Sequence, residues 1–266
     1  MNSTTVKLEK GESTRSIVLV PADARKPPVL DHSVLDQFDV VLDQLEIDLR
    51  ADCPPRVVIL KSDSARFFCA GGNIAALATL DAESMGAWIE RGHEVFARIE
   101  TLPVPTVAIV SGYALGGGLE LAVACDLIYA TDSAQFGQTE VRLGFVTGWG
   151  GGRRLAARVG VARAKELSFT GRMFDAAEAL RIGLAQFVGT DDELAQHLSR
   201  VVNEIAKGAP IAVSAMKDII DAAADAGHPG SSTAEARNLT VERAHSVALA
   251  ESEETVRRVS EFLNRR

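Results

Sequence analysis

Two glutamates, Glu120 and Glu140, stand in segments of the chain that are otherwise apolar or turn-like. An ionised carboxylate is costly to bury unless it has a partner or a task. Three consecutive glycines, residues 116–118, directly precede the first glutamate and follow an apolar run at residues 105–110. The first amides of a helix that starts at such a turn lack intrahelical partners and carry the positive end of the helix dipole. Free amides beside two carboxylates are suited to binding an oxyanion while a proton moves next to a carbonyl.

Each of these features also has a purely structural interpretation. A triple glycine before a helix is often only a tight turn, and a single glutamate in an apolar helix is often paired with an arginine. The combination favours chemistry, and a second glycine turn adds to it. Residues 56–61 (RVVILK) predict a buried strand, and the chain then reaches Ala70, Gly71 and Gly72, which are small enough for a ligand to touch the backbone.

Five segments, in this order, resemble the enoyl-CoA hydratase/isomerase (crotonase) superfamily: FFCAGGNI, PTVAIVSGYALGGGLELAVACDLIYA, AQFGQTEVRLG, GWGGGRRLAARVG and LSFTGRMFDAAEALRIGL. The resemblance covers residues 56–189 well and both ends of the chain weakly. It implies an α/β fold, a crotonase-type spiral of ββα units with a C-terminal α-helical oligomerisation region. We therefore expect residues 1–196 to form the spiral core with the active site. Residues 197–266 are expected to form a helical region that makes the trimer and covers the active site.

The same resemblance implies roles for the residues of the predicted site. The backbone amides of Ala70 and Gly117 would bind the thioester oxygen of the substrate as an oxyanion hole. Glu120 would orient and deprotonate a water molecule, and Glu140 would deliver or remove the proton at Cα. The backbone amide of Gly148 would position the reacting water. No metal ion has a role in this scheme.

The substrate pocket is expected to include Met85 and Trp88, which lie in a predicted helix at residues 81–100, together with Phe145 and Trp149. In the family the first of these regions walls the acyl pocket. A methionine and an aromatic residue at helical spacing are also typical of an ordinary core, so both interpretations stay open for Met85 and Trp88. Phe145 and Trp149 are bulkier than the residues common in hydratases at those places, which makes the size of the substrate the open question.

Coenzyme A is expected to contact both ends of the chain. Arg25 and Lys26 lie in a charged, proline-broken loop at the place where the family holds the adenosine end, although a solvated basic loop explains them nearly as well. Phe262 and Arg265 correspond to C-terminal residues that reach a neighbouring subunit's coenzyme A. The family forms trimers or dimers of trimers, so self-association as a homotrimer or homohexamer is expected.

The resemblance therefore implies an enoyl-CoA hydratase, which adds water in the syn sense to an α,β-unsaturated acyl-CoA thioester or eliminates it. No cofactor is expected, because coenzyme A is part of the substrate. One alternative is an enoyl-CoA isomerase, since isomerases often work with a single carboxylate; another is a specialised hydratase for a cyclic or dienoyl-CoA. A non-catalytic scaffold or an RNA-binding relative is disfavoured by the two glutamates and the acidic composition.

Composition fits a soluble protein that acts on a small molecule. The 266 residues carry a formal charge of −8, with a pI near 5.2, which argues against nucleic acid or an anionic membrane as partner. Cys53, Cys69 and Cys125 show no metal-ligand spacing and are expected to be reduced thiols. No apolar run approaches the roughly 18 residues needed to span a bilayer, and no signal sequence is recognisable. A cytoplasmic location is expected.

Apolar periodicity predicts the main elements outside the glycine turns. Residues 16–20 are expected to form the first strand, and a helix with Asp31 as N-cap should extend to about residue 49. The C-terminal part of the chain is expected to be helical throughout, at residues 191–207, 211–224 and 233–249 and in the final segment SEETVRRVSEFLNRR.

Overall fold

Ten strands form two sheets in the computed structural model, which describes residues 4–225 and 232–264. The strands are β1 (Thr4–Lys10), β2 (Thr14–Pro21), β3 (Val57–Ser62), β4 (Phe67–Cys69), β5 (Thr106–Val110), β6 (Tyr113–Leu115), β7 (Leu127–Thr131), β8 (Gln135–Gly137), β9 (Met173–Asp175) and β10 (Phe187–Gly189). The larger sheet has the order β1-β2-β3-β5-β7-β10, and the smaller one β4-β6-β8-β9.

Helices connect and cover these strands. They are α1 (His32–Leu49), α2 (Ile74–Leu77), α3 (Ala82–Glu100), α4 (Gly117–Val123), α5 (Gly151–Val159), α6 (Val161–Thr170), α7 (Ala176–Arg181), α8 (Asp191–Lys207), α9 (Pro210–Asp225), α10 (Ser232–Ala250) and α11 (Glu253–Asn264). A short 3₁₀ helix, Glu140–Leu143, follows β8.

The chain advances as a spiral, because the strands from β3 to β8 alternate between the two sheets. β3, β5 and β7 join the larger sheet in parallel, and the strand after each of them, β4, β6 or β8, joins the smaller sheet, also in parallel. The helices that follow return the chain to the start of the next unit. Repeated ββα units confirm the predicted α/β spiral, and they bring the ends of β4, β6 and β8 side by side.

The core lies between the sheets and the helices that pack on them. Helix α1 shows why its sequence is helical: Asp31 caps it by accepting from the Val34 amide, and its apolar residues recur along one buried face. That face carries Val34, Leu35, Phe38, Val41, Leu42 and Leu45. Full burial of one such side chain contributes about 1.5–3 kcal/mol to the stability of the fold.

Residues 16–20 form a strand as predicted, within β2, but this strand is the second of the chain and the prediction that it is the first is wrong. β1 precedes that strand and pairs with it in an antiparallel hairpin, from Thr4 opposite Pro21 to Lys10 opposite Arg15. The segment alternates between buried and more exposed residues, with Val6 inside and Lys7 outside, as a strand with one packed face requires. Its polar outer residues hide this pattern in the sequence.

The predicted C-terminal helices are confirmed. α8, α9, α10 and α11 follow one another, and α8 packs on the larger sheet, where its Leu194 and Val202 contact an apolar cluster with Val57 and Tyr129. The expected division of the chain at residue 196 falls inside α8. Among residues 4–225 and 232–264, no helix is both long enough and apolar enough to cross a bilayer.

Candidate active site

The two glycine turns meet backbone to backbone at the N-terminus of α4. Gly116 adopts φ 53°, in the left-handed region that glycine tolerates, and α4 begins at the next residue. A Cβ atom built on Gly118 would overlap the Cys69 carbonyl, and one built on Gly71 would lie 2.8 Å from the Gly117 nitrogen. Glycines are required here because the turn after β4 and the first turn of α4 approach too closely to leave room for side chains.

The prediction that the Ala70 amide serves as an oxyanion donor is wrong. That amide donates to the Pro28 carbonyl at 2.9 Å. The segment before α1 runs alongside the turn, since the Leu30 amide donates to Gly71 and the Asn73 amide donates to Leu30, both at 2.8 Å. The Ala70 amide is therefore already satisfied and points away from α4.

Two amides remain available at the junction of the turns. Within the described part of the chain, neither the Gly72 amide nor the Gly117 amide has a hydrogen-bond acceptor. Gly117 supplies the first amide of α4, which has no intrahelical partner. Gly72 lies at an isolated bridge to Leu30, in which the neighbouring groups of Gly71 and Asn73 make the bonds. The amide that is available on this turn, that of Gly72, thus lies two residues after the predicted donor Ala70.

Glu120 is held by the loop that precedes α5. Its side chain is buried, and its Oε1 accepts from the Trp149 amide at 2.9 Å and from the Gly151 amide at 2.7 Å. A Cβ built on Gly151 would lie 2.5 Å from the Glu120 Cγ, so only glycine lets this backbone approach the carboxylate. The loop therefore fixes one oxygen of Glu120 with two backbone amides.

Glu140 is the first residue of the 3₁₀ helix, and its carboxylate lies against the glycine turn. A Cβ built on Gly116 would be 3.2 Å from Glu140 Oε1. The same oxygen accepts from Gln138 Nε2 at 2.8 Å. Glu140 Oε2 is buried and has no hydrogen-bond partner among the described residues. Both predicted carboxylates are therefore brought to the N-terminal turn of α4.

Burial changes the acidity of both groups. Burial raises the pKa of Glu120 to about 7, and the negative charge of Glu140 also raises it. The backbone amides of Gly151, Trp149 and Gly148 lower the same pKa, but by less. Burial also raises the pKa of Glu140, while the hydrogen bond from Gln138 lowers it. A carboxyl whose pKa lies near neutrality can both take up and give back a proton at physiological pH.

Two residues in the site were missed by the sequence analysis. Gln138 is buried and orients Glu140; its position two residues before the glutamate, in FGQTE, is the signal that could have identified it. Arg154 is also buried. Its Nη1 donates to the Trp149 carbonyl at 2.6 Å and its Nη2 donates to Glu100 Oε2 at 2.7 Å. Arg154 thereby fixes the loop whose amides hold Glu120.

The four predicted pocket residues differ in their surroundings. Trp88 and Trp149 are buried and their ring centroids lie 4.9 Å apart. Met85 is half-buried against the core, one turn before Trp88 on α3. Phe145 is 39% exposed and follows the 3₁₀ helix, where its amide donates to the Glu140 carbonyl. Trp88 therefore belongs both to the core and to the surroundings of the glycine turns.

The residues predicted to bind coenzyme A are more dispersed. Arg25 and Lys26 are exposed on the loop between β2 and α1, and Arg25 Nε pairs with Asp23 at 3.0 Å. This loop continues into Pro28, which contacts the Ala70 turn. Phe262 is 62% exposed on α11, and Arg265 lies outside the described residues.

The cysteines and other potential metal ligands contribute no recognisable centre. Cys69 and Cys125 are buried, and burial raises the pKa of each thiol to about 12, whereas Cys53 is exposed. In the portion of the chain that the structure describes, no group of three or more His, Cys, Asp or Glu side chains is arranged to hold a metal ion.

Comparison with known proteins gives a consistent result. The sequence model of the enoyl-CoA hydratase/isomerase family matches residues 17–258. A short-chain-enoyl-CoA hydratase from Clostridium acetobutylicum is 38% identical over 192 residues, which are 72% of each chain. A mitochondrial methylglutaconyl-CoA hydratase from Mus musculus is 36% identical over 66% of this chain and 55% of its own. A crystal structure of enoyl-CoA hydratase from Bacillus anthracis superposes with a TM-score of 0.86 at 29% identity, covering 98% of this chain and 97% of that one.

Proposed function

Because the chain belongs to the enoyl-CoA hydratase/isomerase family, we propose that it hydrates an α,β-unsaturated acyl-CoA thioester or catalyses the reverse elimination. The observation that carries this proposal is the meeting of two buried carboxylates with two unpaired amides at one turn. Hydration needs a base for water and an acid for Cα, and this site offers one carboxyl for each task. Coenzyme A enters as part of the substrate, and the scheme uses no further cofactor.

The amides of Gly72 and Gly117 are the proposed oxyanion donors. When water adds to Cβ, negative charge moves through the conjugated system to the thioester oxygen. Donors fixed before the reaction stabilise that charge without reorganising, and one such donor contributes about 3 kcal/mol to lowering the barrier in acyl-transfer enzymes. The glycines serve this purpose because no Cβ atom separates the amides from the ligand.

The two glutamates divide the proton transfers. Glu120 accepts a proton from water as the water oxygen bonds to Cβ, and the carboxyl of Glu140 gives its proton to Cα as the enolate collapses. The amides of Trp149 and Gly151 hold Glu120 Oε1, and we propose that the other oxygen of Glu120 takes the proton of the water. Gly148, whose amide also lies beside the Glu120 carboxylate, is proposed to position that water. Glu140 Oε2, which has no partner among the described residues, is the atom available to Cα. Exchange with solvent then restores both protonation states.

A double-bond isomerase is the competing reaction within the family. It needs only one carboxylate to move a proton between two carbons, so two intact glutamates favour hydration. The test is a spectrophotometric assay with crotonyl-CoA, in which hydration removes the absorbance of the conjugated thioester. A parallel assay with a 3-enoyl-CoA detects isomerisation by the appearance of that absorbance. Turnover of the 3-enoyl-CoA together with inert crotonyl-CoA would replace the hydratase proposal with the isomerase.

Self-association is part of the proposal. The exposed large apolar side chains on α9, α10 and α11 include Ile220, Val247, Val256, Val259 and Phe262, each more than half exposed in the single chain. Apolar surface of this extent is typical of a face covered by another subunit. We expect a homotrimer or homohexamer, with Arg25, Lys26, Phe262 and Arg265 near the coenzyme A. Light scattering that gives the mass of one chain across dilution would contradict the assembly.

A further inference from the structure

Two tryptophans stand directly beside the proposed oxyanion glycines. A Cβ built on Gly117 would lie 2.7 Å from Trp149 Cζ3, and one built on Gly72 would lie 3.8 Å from Trp88 Cζ2. Each amide that would bind the thioester oxygen therefore has an indole next to it. An acyl group whose carbonyl is held by these amides must pass the pair of indoles.

Both the indole ring and the backbone of Trp149 are held by contacts with other residues. Its Nε1 donates to the Trp88 carbonyl at 3.3 Å, and its ring meets the edge of Phe96 at a centroid distance of 5.3 Å. The backbone of Trp149 is bound at both polar groups, with the amide donating to Glu120 and the carbonyl accepting from Arg154. The indole therefore cannot move aside without disturbing the loop that holds the proposed base.

Gly92 makes this position of the indole possible. It lies in the middle of α3, where glycine is about 1 kcal/mol less favourable than alanine. A Cβ atom built on Gly92 would overlap the Trp149 indole, since its nearest atoms are all in that ring. The helix thus carries an unfavourable residue at the place where the indole packs against it.

The remaining space around the turns is bounded by aliphatic side chains. A Cβ built on Gly148 would be 2.9 Å from Ile89 Cδ1, and one built on Gly72 would be 3.1 Å from Leu77 Cδ1. These contacts line the side of the site that faces α2 and α3. The indole of Trp149 is buried beside Gly117 and packs against Trp88 and Phe96.

We propose that Trp149, seated on Gly92, closes the acyl end of the site and restricts the substrate to short enoyl thioesters such as crotonyl-CoA. The proposal rests on the function proposed above, because it places the thioester oxygen at Gly72 and Gly117. Trp149 acts by excluding the distal part of longer acyl chains, and Gly92 acts by leaving room for the indole.

The first test compares kcat/KM for crotonyl-CoA and decenoyl-CoA. The wild-type protein should prefer crotonyl-CoA, and Trp149→Ala should raise the decenoyl-to-crotonyl ratio about 10-fold or more, because a few methylene groups in an apolar pocket have effects of that size. Phe169→Ala, which removes an aromatic side chain that is 74% exposed on α6, is the matched control and should leave the ratio unchanged. A folded Trp149→Ala protein with the wild-type ratio would overturn the proposal.

The second test is a double-mutant cycle with Gly92→Ala. The added methyl group should displace the indole toward Gly117 and lower turnover of crotonyl-CoA in the wild-type background. In the Trp149→Ala background the same substitution should have no effect, because the ring it displaces is gone. Equal losses in the two backgrounds would show that Gly92 serves only the helix, and the pairing with Trp149 would be wrong.

A binding measurement separates this proposal from the proposed reaction. Calorimetry with butyryl-CoA and decanoyl-CoA, which are saturated and cannot be hydrated, reports the acyl pocket without turnover. Trp149→Leu is included in case the alanine variant fails to fold. In one outcome, the variants bind decanoyl-CoA more tightly while neither they nor the wild type hydrate an enoyl-CoA. That result would support the proposed role of Trp149 in the acyl pocket and contradict the proposed hydratase reaction. If the wild type hydrates crotonyl-CoA and decenoyl-CoA equally well, the hydratase proposal is supported and the proposed role of Trp149 is contradicted.

Discussion

The surroundings of Glu120 and Glu140 differ although both carboxylates face the same turn. Glu120 lies on a buried helix, and its Oε1 is held by two backbone amides of a loop that Arg154 fixes in turn. Glu140 begins a short 3₁₀ helix whose following residues include the exposed Val141 and Leu143, and its carboxylate has one hydrogen bond, from Gln138. Glu120 is thus held rigidly within the buried core of the spiral, whereas Glu140 lies beside exposed residues and is held by a single side chain.

This difference fits the separate tasks that the proposed mechanism gives the two glutamates. A base that must hold a water in one orientation benefits from a carboxylate with no freedom of its own, as at Glu120. An acid that must give its proton to Cα benefits from an oxygen that no other group of the protein holds, as at Glu140 Oε2, which has no hydrogen-bond partner among the described residues. Burial raises the pKa of both carboxyls, and that of Glu120, about 7, suits proton transfer near neutral pH.

Removing the fixed carboxylate should have the largest effect. We expect Glu120→Gln to lower kcat for hydration by roughly 10²–10⁴-fold, the usual contribution of a general acid or base. The glutamine keeps the shape of the side chain, so circular dichroism should be unchanged. Glu140→Gln should give a loss in the same range. Near wild-type turnover by either variant would rule out the two-carboxylate mechanism.

Filling the oxyanion turn should have the next largest effect. A Cβ on Gly117 would lie 2.7 Å from the Trp149 ring, so Gly117→Val should displace the amide and lower kcat about 10²–10³-fold, as the loss of an oxyanion donor does. Gly117→Ala should be milder. Gly86→Val is the control, because a Cβ at Gly86, also a helical glycine, meets no atom within 4 Å. Normal turnover by folded Gly117→Val would show that this glycine serves only the turn.

Much of this arrangement could be predicted from the sequence, because it depends on local patterns. The triple glycine before an apolar helix identifies the α4 turn, and both glutamates follow from their place near turns in apolar segments. The N-cap at Asp31 and the apolar face of α1 are equally local signals. The spiral arrangement could be predicted only from the resemblance to a family, because strands of three residues, such as β4, are too short to show an apolar periodicity.

The errors arose where distant segments decide the outcome. Ala70 and Gly72 are both small residues in one turn, and only the pairing with Pro28 and Leu30 shows which amide is already used. Arg154 resembles a surface arginine in the sequence and becomes part of the site through the Trp149 carbonyl and Glu100. Backbone pairing and contacts between distant residues have no signature in a single sequence.

The burial of Glu120 should also make the free energy of unfolding depend on pH. Its folded-state pKa, about 7, lies above the value of 4.5 for an unburied glutamate, so its protonated form is favoured in the folded protein. The contribution of the Glu120 carboxyl to the free energy of unfolding is fully present below about pH 4.5 and is lost as the pH rises through 7. Glu120→Gln should therefore raise the free energy of unfolding at pH 8, by up to roughly 3 kcal/mol for a shift of this size.

Chemical denaturation at pH 5 and pH 8 checks this expectation. The stabilisation by Glu120→Gln should be small at pH 5 and larger at pH 8. Glu90→Gln, at an exposed glutamate on α3, is the control and should show no such dependence. A stabilisation that is independent of pH would mean that Glu120 does not titrate as its burial requires.

The smallest expected effect belongs to the single hydrogen bond that orients Glu140. Gln138→Met removes the Nε2 donor and keeps the approximate size of the side chain, and we expect kcat to fall about 10-fold, since hydrogen bonds to charged groups contribute about 1.5–3 kcal/mol. The bond favours the ionised carboxylate and so lowers its pKa, and its loss should raise that pKa further. Because Glu140 acts in its protonated form in the proposed mechanism, the alkaline limb of the pH–rate profile should move to higher pH. A fall in kcat with an unmoved alkaline limb would show that Gln138 supports the packing of the 3₁₀ helix and leaves the acidity of Glu140 unchanged.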